Sequence, residues 1–394
     1  MTHPKLDLLP GQDRRLRAGH PWVFSNEIRM EPAAKALPPG CLVTLADAHG
    51  RPLGLAHFNP HSLIAARVLT RNKDAVIDAG FLERRLARAL RLRERLYDRP
   101  FYRLVHAEAD GLPGLVVDRF GDLLVVQVNT AGMATLTEPV LAALDRLLHP
   151  RAIVLRNDSP VRELEGLPSE VRIARGDVAG PVAIEEHGQT FLIDPLEGQK
   201  TGWYHDQRDN RAFVARLADG QRVLDLYSYG AGFGLTALAG GASGVLAIDR
   251  SAAGLDLARA SAEANGLADR LETRRQDAFA ALDELAATKA RFGVVIADPP
   301  AFVRSKKELK AGLAGYRKLA RATGQLVKEE GVLAIASCSH NVAADEFAQE
   351  VRRGLKDASR GGRILRQAGA GPDHPLHPAL PESAYLKCLV YVLD

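Results

Sequence analysis

Asp225-Leu226-Tyr227-Ser228-Tyr229-Gly230-Ala231-Gly232-Phe233-Gly234 is the stretch whose reading decides the fold. The apolar run RVLDLYS leads into it and LTALA follows, so a strand passes through a glycine-rich turn directly into a helix. Glycine lets the backbone approach a ligand closely, and the open N–H groups of a helix start favour an electron-rich or anionic partner. A glycine-rich turn alone is a weak signal. It sharpens because the next strand, GVLAID, ends on Asp249, where a carboxylate can accept hydrogen bonds from ribose hydroxyls, and because the strand after that is followed by Asp277. Three successive strands thus deliver Asp or Gly to the carboxyl edge at which open α/β sheets bind ligands.

Working outward, LETRRQ, FGVVIAD and GVLAIAS alternate with helical segments such as AAGLDLARASAEANG and AFAALDELAATK, and RILRQ and YLKCLVYVL add two strands at the end. Residues 196–394 are therefore expected to form an α/β, Rossmann-like domain with a mostly parallel seven-stranded sheet between helix layers. The glycines run GxGxG with an acid five residues before the first, whereas the dinucleotide fingerprint needs GxGxxG. At this point the sequence resembles the class I S-adenosylmethionine (SAM)-dependent methyltransferases. The resemblance implies that Asp225, Gly230, Gly232, Asp249 and Asp277 contact SAM, the first acid near its methionine end, the second at ribose and the third at adenine. The competing reading is a nucleotide-type fold whose acids only cap helices.

The fourth strand ends in Asp298-Pro299-Pro300-Ala301-Phe302. Two prolines stop the ladder and hold a rigid extended turn, placing Asp298 and Phe302 at the cofactor edge. There a carboxylate can hold an exocyclic amino group and an aromatic ring can stack on a base taken out of its helix. The fifth strand ends in Ser337-Cys338-Ser339-His340. Carbon 5 of a pyrimidine is a poor nucleophile, and addition of a thiolate to carbon 6 activates it, which makes Cys338 the candidate catalytic residue with Asp298. A free thiol ionises at about pH 8.5, so such a site must favour the thiolate through nearby cations or N–H dipoles. Cys41 and Cys388 read as core residues. The basic loop Arg304-Ser305-Lys306-Lys307 suits phosphate contact, with Lys306 as its candidate, or is a solvated helix start. No role is assigned to His340.

Residues 1–72 show short apolar runs broken by turns (CLVTLAD, PLGLAHF, SLIAARVL), which read as a small β-barrel. Arg15 and Trp22 lie where phosphate-binding charge adjoins base-stacking aromatics, or belong to a solvated surface and a core. Residues 75–195 read as a mixed α/β middle domain. Its first helix carries an apolar stripe of Leu82, Leu86, Ala89, Leu90 and Leu96, and residues 81–103 hold eight arginines against three acids. That basic face, including Arg84 and Arg88, can track a phosphate backbone or simply be solvated. The chain's 52 Lys and Arg against 48 Asp and Glu give a net charge of +4, mildly favourable for an anionic partner. Three scattered cysteines suggest neither disulfides nor a CxxC zinc site, and no metal is expected. No stretch approaches about 18 uncharged apolar residues and the N-terminus lacks a secretory signal pattern, so a cytoplasmic protein without a membrane partner is expected.

Taken together, Gly198-Gln199-Lys200-Thr201-Gly202-Trp203-Tyr204-His205-Asp206-Gln207-Arg208, DPPAF and SCSH resemble the RlmI-type 23S ribosomal RNA cytosine-5 methyltransferases. GHPWVFSNEI is similar to that family's RNA-binding PUA domain, and Glu185-Glu186-His187-Gly188 matches the motif naming its middle domain. The resemblance implies three domains (1–72, 75–195, 196–394) acting on a cytosine of ribosomal RNA, with SAM as cofactor and Cys338 as nucleophile. Many other RNA cytosine-5 methyltransferases carry a second cysteine where this chain has Ala301, so product release by a second thiol is not expected. Relatives that share the KTG…DQR and DPP segments methylate guanine without a thiol, and an RNA-binding assembly factor without turnover is a third reading. The β-rich ends are compatible with a homodimer.

Overall fold

Seven apolar runs of the C-terminal half pair into one sheet in the computed structural model, which describes residues 3–394. They are β1 (Arg222–Leu226), β2 (Gly244–Asp249), β3 (Leu271–Arg275), β4 (Phe292–Ala297), β5 (Val327–Ser337), β6 (Gly362–Ala368) and β7 (Lys387–Leu393), in the spatial order β3-β2-β1-β4-β5-β7-β6. β1 to β5 are parallel, and β7 runs antiparallel between β5 and β6. Every residue of β4 is buried, as a strand covered on both faces requires. The helices α1 (Gly232–Ala239), α2 (Ala252–Ala264), α3 (Ala278–Ala287), α4 (Leu309–Leu326) and α5 (Ala344–Asp357) complete the alternation.

Two registers position the site. β1 lies between β2 and β4, where the strand order reverses, so the crevice outside the carboxyl ends of β1 and β4 is the switch point at which such sheets bind ligands. Across β5 and β7, Ser337 faces Lys387, so the end of β5 meets the beginning of β7.

This sheet belongs to a unit made of Pro181–Asp194, Tyr204–Gly371 and Glu382–Asp394. Its first piece is the end of the segment 75–195. The hairpin Val182–Glu186 and Gln189–Ile193 turns at His187 and Gly188, both with positive φ (51° and 73°), and bonds to α2: Thr190 N–H donates to Asn265 Oδ1 at 2.9 Å and Leu192 N–H to Ser261 Oγ at 2.8 Å. Glu186, at the hairpin's turn, is buried against Arg211, which donates to both of its carboxylate oxygens at 2.6 and 2.8 Å. The Glu-Glu-His-Gly motif therefore anchors the helix Arg208–Ala215 that follows Asp206-Gln207.

The other unit contains the residues up to 180 together with Pro195–Trp203 and Pro372–Pro381. Its N-terminal part is a five-stranded sheet around Leu8, Val43, Leu45 and Phe58. A second five-stranded sheet, from Phe101–His106 to Glu170–Gly176, carries the helices Ala79–Leu96 and Thr137–Leu148. Leu82, Leu86, Ala89 and Leu90 are buried as the stripe requires, while Leu96, in the last helical position, is exposed. The stripe continues through Arg93, which is fully buried and donates to both oxygens of Asp110 at 2.7 and 2.8 Å. Among the described residues no helix is long and apolar enough to cross a membrane.

Candidate active site

At the end of β1, Asp225 is buried and its Oδ2 accepts Gly234 N–H at 2.9 Å, tying strand to helix. A Cβ on Gly234 would lie 2.8 Å from Val245 Cγ1 and 3.1 Å from Asp225 Oδ2, so this position must be glycine. The left-handed positions of the loop fall on Tyr227, Tyr229 and Ala231 (φ 59°, 47° and 52°), not on Gly230 or Gly232. Non-glycine residues in that region are strained, and the N–H groups of Ser228, Tyr229 and Ala231 are held by the Ile248 carbonyl, Asp249 Oδ2 and the Ser228 carbonyl. Ser228 Oγ is buried there without a hydrogen-bond partner. An orphaned hydroxyl and a carboxyl raised by burial to about pH 7 fit a ligand bearing both carboxylate and ammonium, as the methionine end of SAM does.

Asp249 braces the same loop. Its Oδ2 accepts Tyr229 N–H at 2.9 Å and its Oδ1 accepts Ser251 N–H at 2.7 Å, which leaves each oxygen one further lone pair for a ribose hydroxyl. Asp277 is exposed, and its Oδ1 caps α3 by accepting the N–H groups of Phe279 and Ala280 at 3.0 and 3.2 Å. The helix-capping alternative thus describes one of Asp277's oxygens.

Beyond β4, Asp298 Oδ2 accepts from Gln207 Nε2 at 2.9 Å, while Gln207 Oε1 accepts from Asn210 Nδ2 at 2.7 Å, which fixes the orientation of the amide. Burial, and then the negative charges of Asp298 and Asp206, push the Tyr204 hydroxyl well above the ordinary phenol range. Tyr385 donates its hydroxyl proton to Asp206 Oδ2 at 2.6 Å. Gln207, Tyr204 and Tyr385 were not singled out in the sequence; the Asp206-Gln207-Arg208 segment was the signal for the first.

Cys338 follows β5, half-buried, with its thiol 3.9 Å from the Pro299 carbonyl. The flanking serines explain how it is held. Ser337 Oγ donates to Tyr316 Oη at 2.8 Å, Tyr316 Oη and Ser339 Oγ share a proton bridge of 2.8 Å, and Ser339 Oγ accepts Val303 N–H at 3.2 Å. Both neighbours of the cysteine are therefore pinned to α4 and to the segment after β4. Lys387 Nζ donates to the Ser339 and Tyr385 carbonyls at 2.7 and 2.9 Å. Cys388 is buried and its thiol is pushed up to about 12, which keeps it inert, and burial also raises Cys41.

Phe302 is half-buried after β4. Its ring packs on Tyr316 at 4.8 Å and lies stacked 6.5 Å from Phe279, within a row that continues to Phe347. Gly315 makes room for the Phe302 ring, and Gly312 for Val303 and the Phe302 backbone. Lys306 is exposed. His340 stacks on Tyr385 at 5.1 Å.

In the other unit, Arg84, Arg88 and Arg91 are exposed on their helix. Of the eight arginines counted in that segment, Arg85 donates to the Gly111 and Leu69 carbonyls, Arg88 to the Asp110 carbonyl at 3.3 Å, Arg93 pairs with Asp110, and Arg103 pairs with Asp118. Trp22 spends its indole N–H on Glu108 Oε1 at 2.8 Å and lies under the Arg67 guanidinium. Arg15 lies over the Phe24 ring and lines a cleft with His20, Arg71 and His377.

A glycine-rich loop after β1 at the switch point, with acids at the ends of β1, β2 and β3, points to the class, and comparison with known proteins agrees. The S-adenosylmethionine-dependent methyltransferase family matches residues 163–389, and the PUA-like domain family matches residues 6–71. The "Ribosomal RNA large subunit methyltransferase I" of Erwinia tasmaniensis is 38% identical over 389 residues, 97% of this chain and 98% of that protein. Its counterpart in Klebsiella pneumoniae is 37% identical over 394 residues, 98% of this chain and 97% of that protein. Two solved structures share the fold at 20% identity: a putative SAM-dependent methyltransferase from Streptococcus mutans (TM-score 0.83, 99% of this chain and 100% of that one) and the putative methyltransferase SMU.776, complexed with SAH (TM-score 0.85, 100% of each). The chain is thus a SAM-dependent methyltransferase with an N-terminal PUA-like domain. Within that class it belongs to the ribosomal RNA large subunit methyltransferase I family.

Proposed function

We propose that this protein methylates carbon 5 of a cytosine in large-subunit ribosomal RNA, 23S by the resemblance, with Cys338 as the nucleophile. The observation that carries the reading is the juxtaposition of strand ends: a half-buried thiol after β5, beside Asp298 after β4, at the edge that holds the cofactor loop. When bound, SAM supplies a methyl carbon on a positive sulfur, the electrophile for carbon 5.

The chain's own residues do the rest. Asp298, oriented by Gln207, accepts from the exocyclic amino group of the base and holds carbon 6 toward Cys338. The thiolate adds to carbon 6, and the electron pair of the carbon 5–carbon 6 double bond moves toward carbon 5. After carbon 5 has gained its methyl group, loss of its proton to a base re-forms the double bond and expels the thiolate. Asp225, Asp249 and Asp277 would hold the methionine, ribose and adenine parts of SAM, with the loop around Gly230 and Gly232 between them. Arg15, Arg84 and Arg88 in one unit and Lys306 in the other are exposed and would meet RNA phosphates.

The test is Cys338→Ala with ribosomal RNA as substrate. Methyl transfer should fall at least about a thousandfold while SAM binding persists, because the thiol acts only on the base. Undiminished transfer, or methylation mapped to guanine, overturns the reading.

A further inference from the structure

Lys387 is buried, about 8% exposed, and its ammonium is held by two backbone carbonyls, those of Ser339 and Tyr385. Among the described residues no carboxylate is ion-paired to it. A buried ammonium stabilised only by two carbonyl dipoles is a costly arrangement unless a negative charge lies nearby. The β5–β7 register pairs the Lys387 backbone with Ser337, the residue before Cys338, and its ammonium bonds the carbonyl of Ser339, the residue after it.

We propose that Lys387 is the counter-charge that holds the Cys338 sulfur as a thiolate, a positioning residue that acts through the nucleophile. The proposal rests on Cys338 being that nucleophile. Burial drives the ammonium toward losing its proton and the Cys338 charge drives it toward keeping it; the same attraction, seen from the sulfur, favours the thiolate. Asp298, Tyr204, Tyr316 and His340 do not replace it. Asp298, at the end of β4, opposes a second negative charge. The hydroxyls of Tyr204 and Tyr316 are both pushed up and stay neutral. His340 is exposed, with its Nδ1 3.3 Å from the Glu382 carbonyl oxygen. Strand alternation then sends Cys388 to the opposite face of β7, away from this charge.

The experiment is alkylation of Cys338 by iodoacetamide in the full chain without RNA, followed against pH and read at that residue by peptide mass spectrometry. In the parent protein the half-reaction pH should lie below about 8.5, the ordinary thiol value. Lys387→Met should raise it by at least about one pH unit, which slows alkylation about tenfold near pH 7, and Lys387→Arg should recover most of the loss. Calorimetric SAM binding serves as the control for folding; if Lys387→Met fails it, the parent value and Lys387→Arg decide. A parent value at or above about 8.5, or superimposable parent and Lys387→Met profiles, overturns the proposal. The two readings fail separately. A depressed thiol pKa without any covalent adduct to 5-fluorocytosine RNA removes the nucleophile and leaves the counter-charge standing. An adduct with an unmoved pH profile removes the counter-charge alone.

Discussion

Asp225→Asn should stabilise the protein above neutral pH while weakening its grip on SAM. Asp225 is fully buried, and desolvation, with the charges of Asp298 and Asp249, raises its pKa from 3.8 to about 7 against the opposing hydrogen bond from Gly234 N–H. The folded protein therefore holds this proton more tightly than the unfolded chain. The resulting advantage is fully present below about pH 4 and is lost as the pH rises to about 7. Carrying that shift through gives an upper bound of about 4 kcal/mol of destabilisation at pH 8. Asparagine keeps an oxygen for Gly234 N–H and removes the charge. Its melting temperature relative to the parent should therefore climb across pH 4 to 7 and level off several degrees higher. Because the chain has two units, variant and parent are to be compared on the same calorimetric transition. Over the same series SAM affinity should fall about tenfold or more, since a charge-assisted hydrogen bond to the ammonium is lost. A stability difference that does not change with pH would refute the buried-charge argument, and unchanged SAM affinity would refute the placement of Asp225 at the cofactor.

Other outcomes follow from the same geometry. Asp249→Ala frees the N–H groups of Tyr229 and Ser251 as well as the ribose, and SAM affinity measured by calorimetry should drop about a hundredfold; an unchanged value contradicts the assignment. Arg93→Met leaves Asp110 buried and uncompensated, costing about 3–5 kcal/mol in urea unfolding, whereas the double change with Asp110→Asn should cost less than either single one. Replacing Arg84, Arg88 and Arg91 by Ala should reduce the salt slope of RNA binding by roughly 2 to 3 if each meets a phosphate. Equal slopes assign that face to solvent.

What the sequence made legible were features carried by local pattern. The seven strands, β4 most plainly, appear as apolar runs between helices, and the acids at strand ends follow from that placement. Where the structure went further, the cause was pairing across long separations. Arg93 looks like one of eight charges on a basic face until Asp110 is brought to it, and helical spacing alone cannot tell a buried arginine from a solvated one. The Glu186 motif reads as part of the segment before it, although its ion pair with Arg211 ties it to the catalytic unit. Lys387 sits in an ordinary apolar strand, and only the β5–β7 register brings it to Cys338. The glycine loop is legible in the sequence, but its left-handed residues are Tyr227, Tyr229 and Ala231, which glycine spacing does not mark.

The most direct test of the central claim is incubation of the full-length protein and SAM with large-subunit ribosomal RNA carrying 5-fluorocytosine. Fluorine cannot leave carbon 5 as a proton does, so the thiolate cannot be expelled after methylation. A covalent protein–RNA adduct mapping to Cys338, and absent from Cys338→Ala, is the predicted result. Methylation without any adduct would contradict the account.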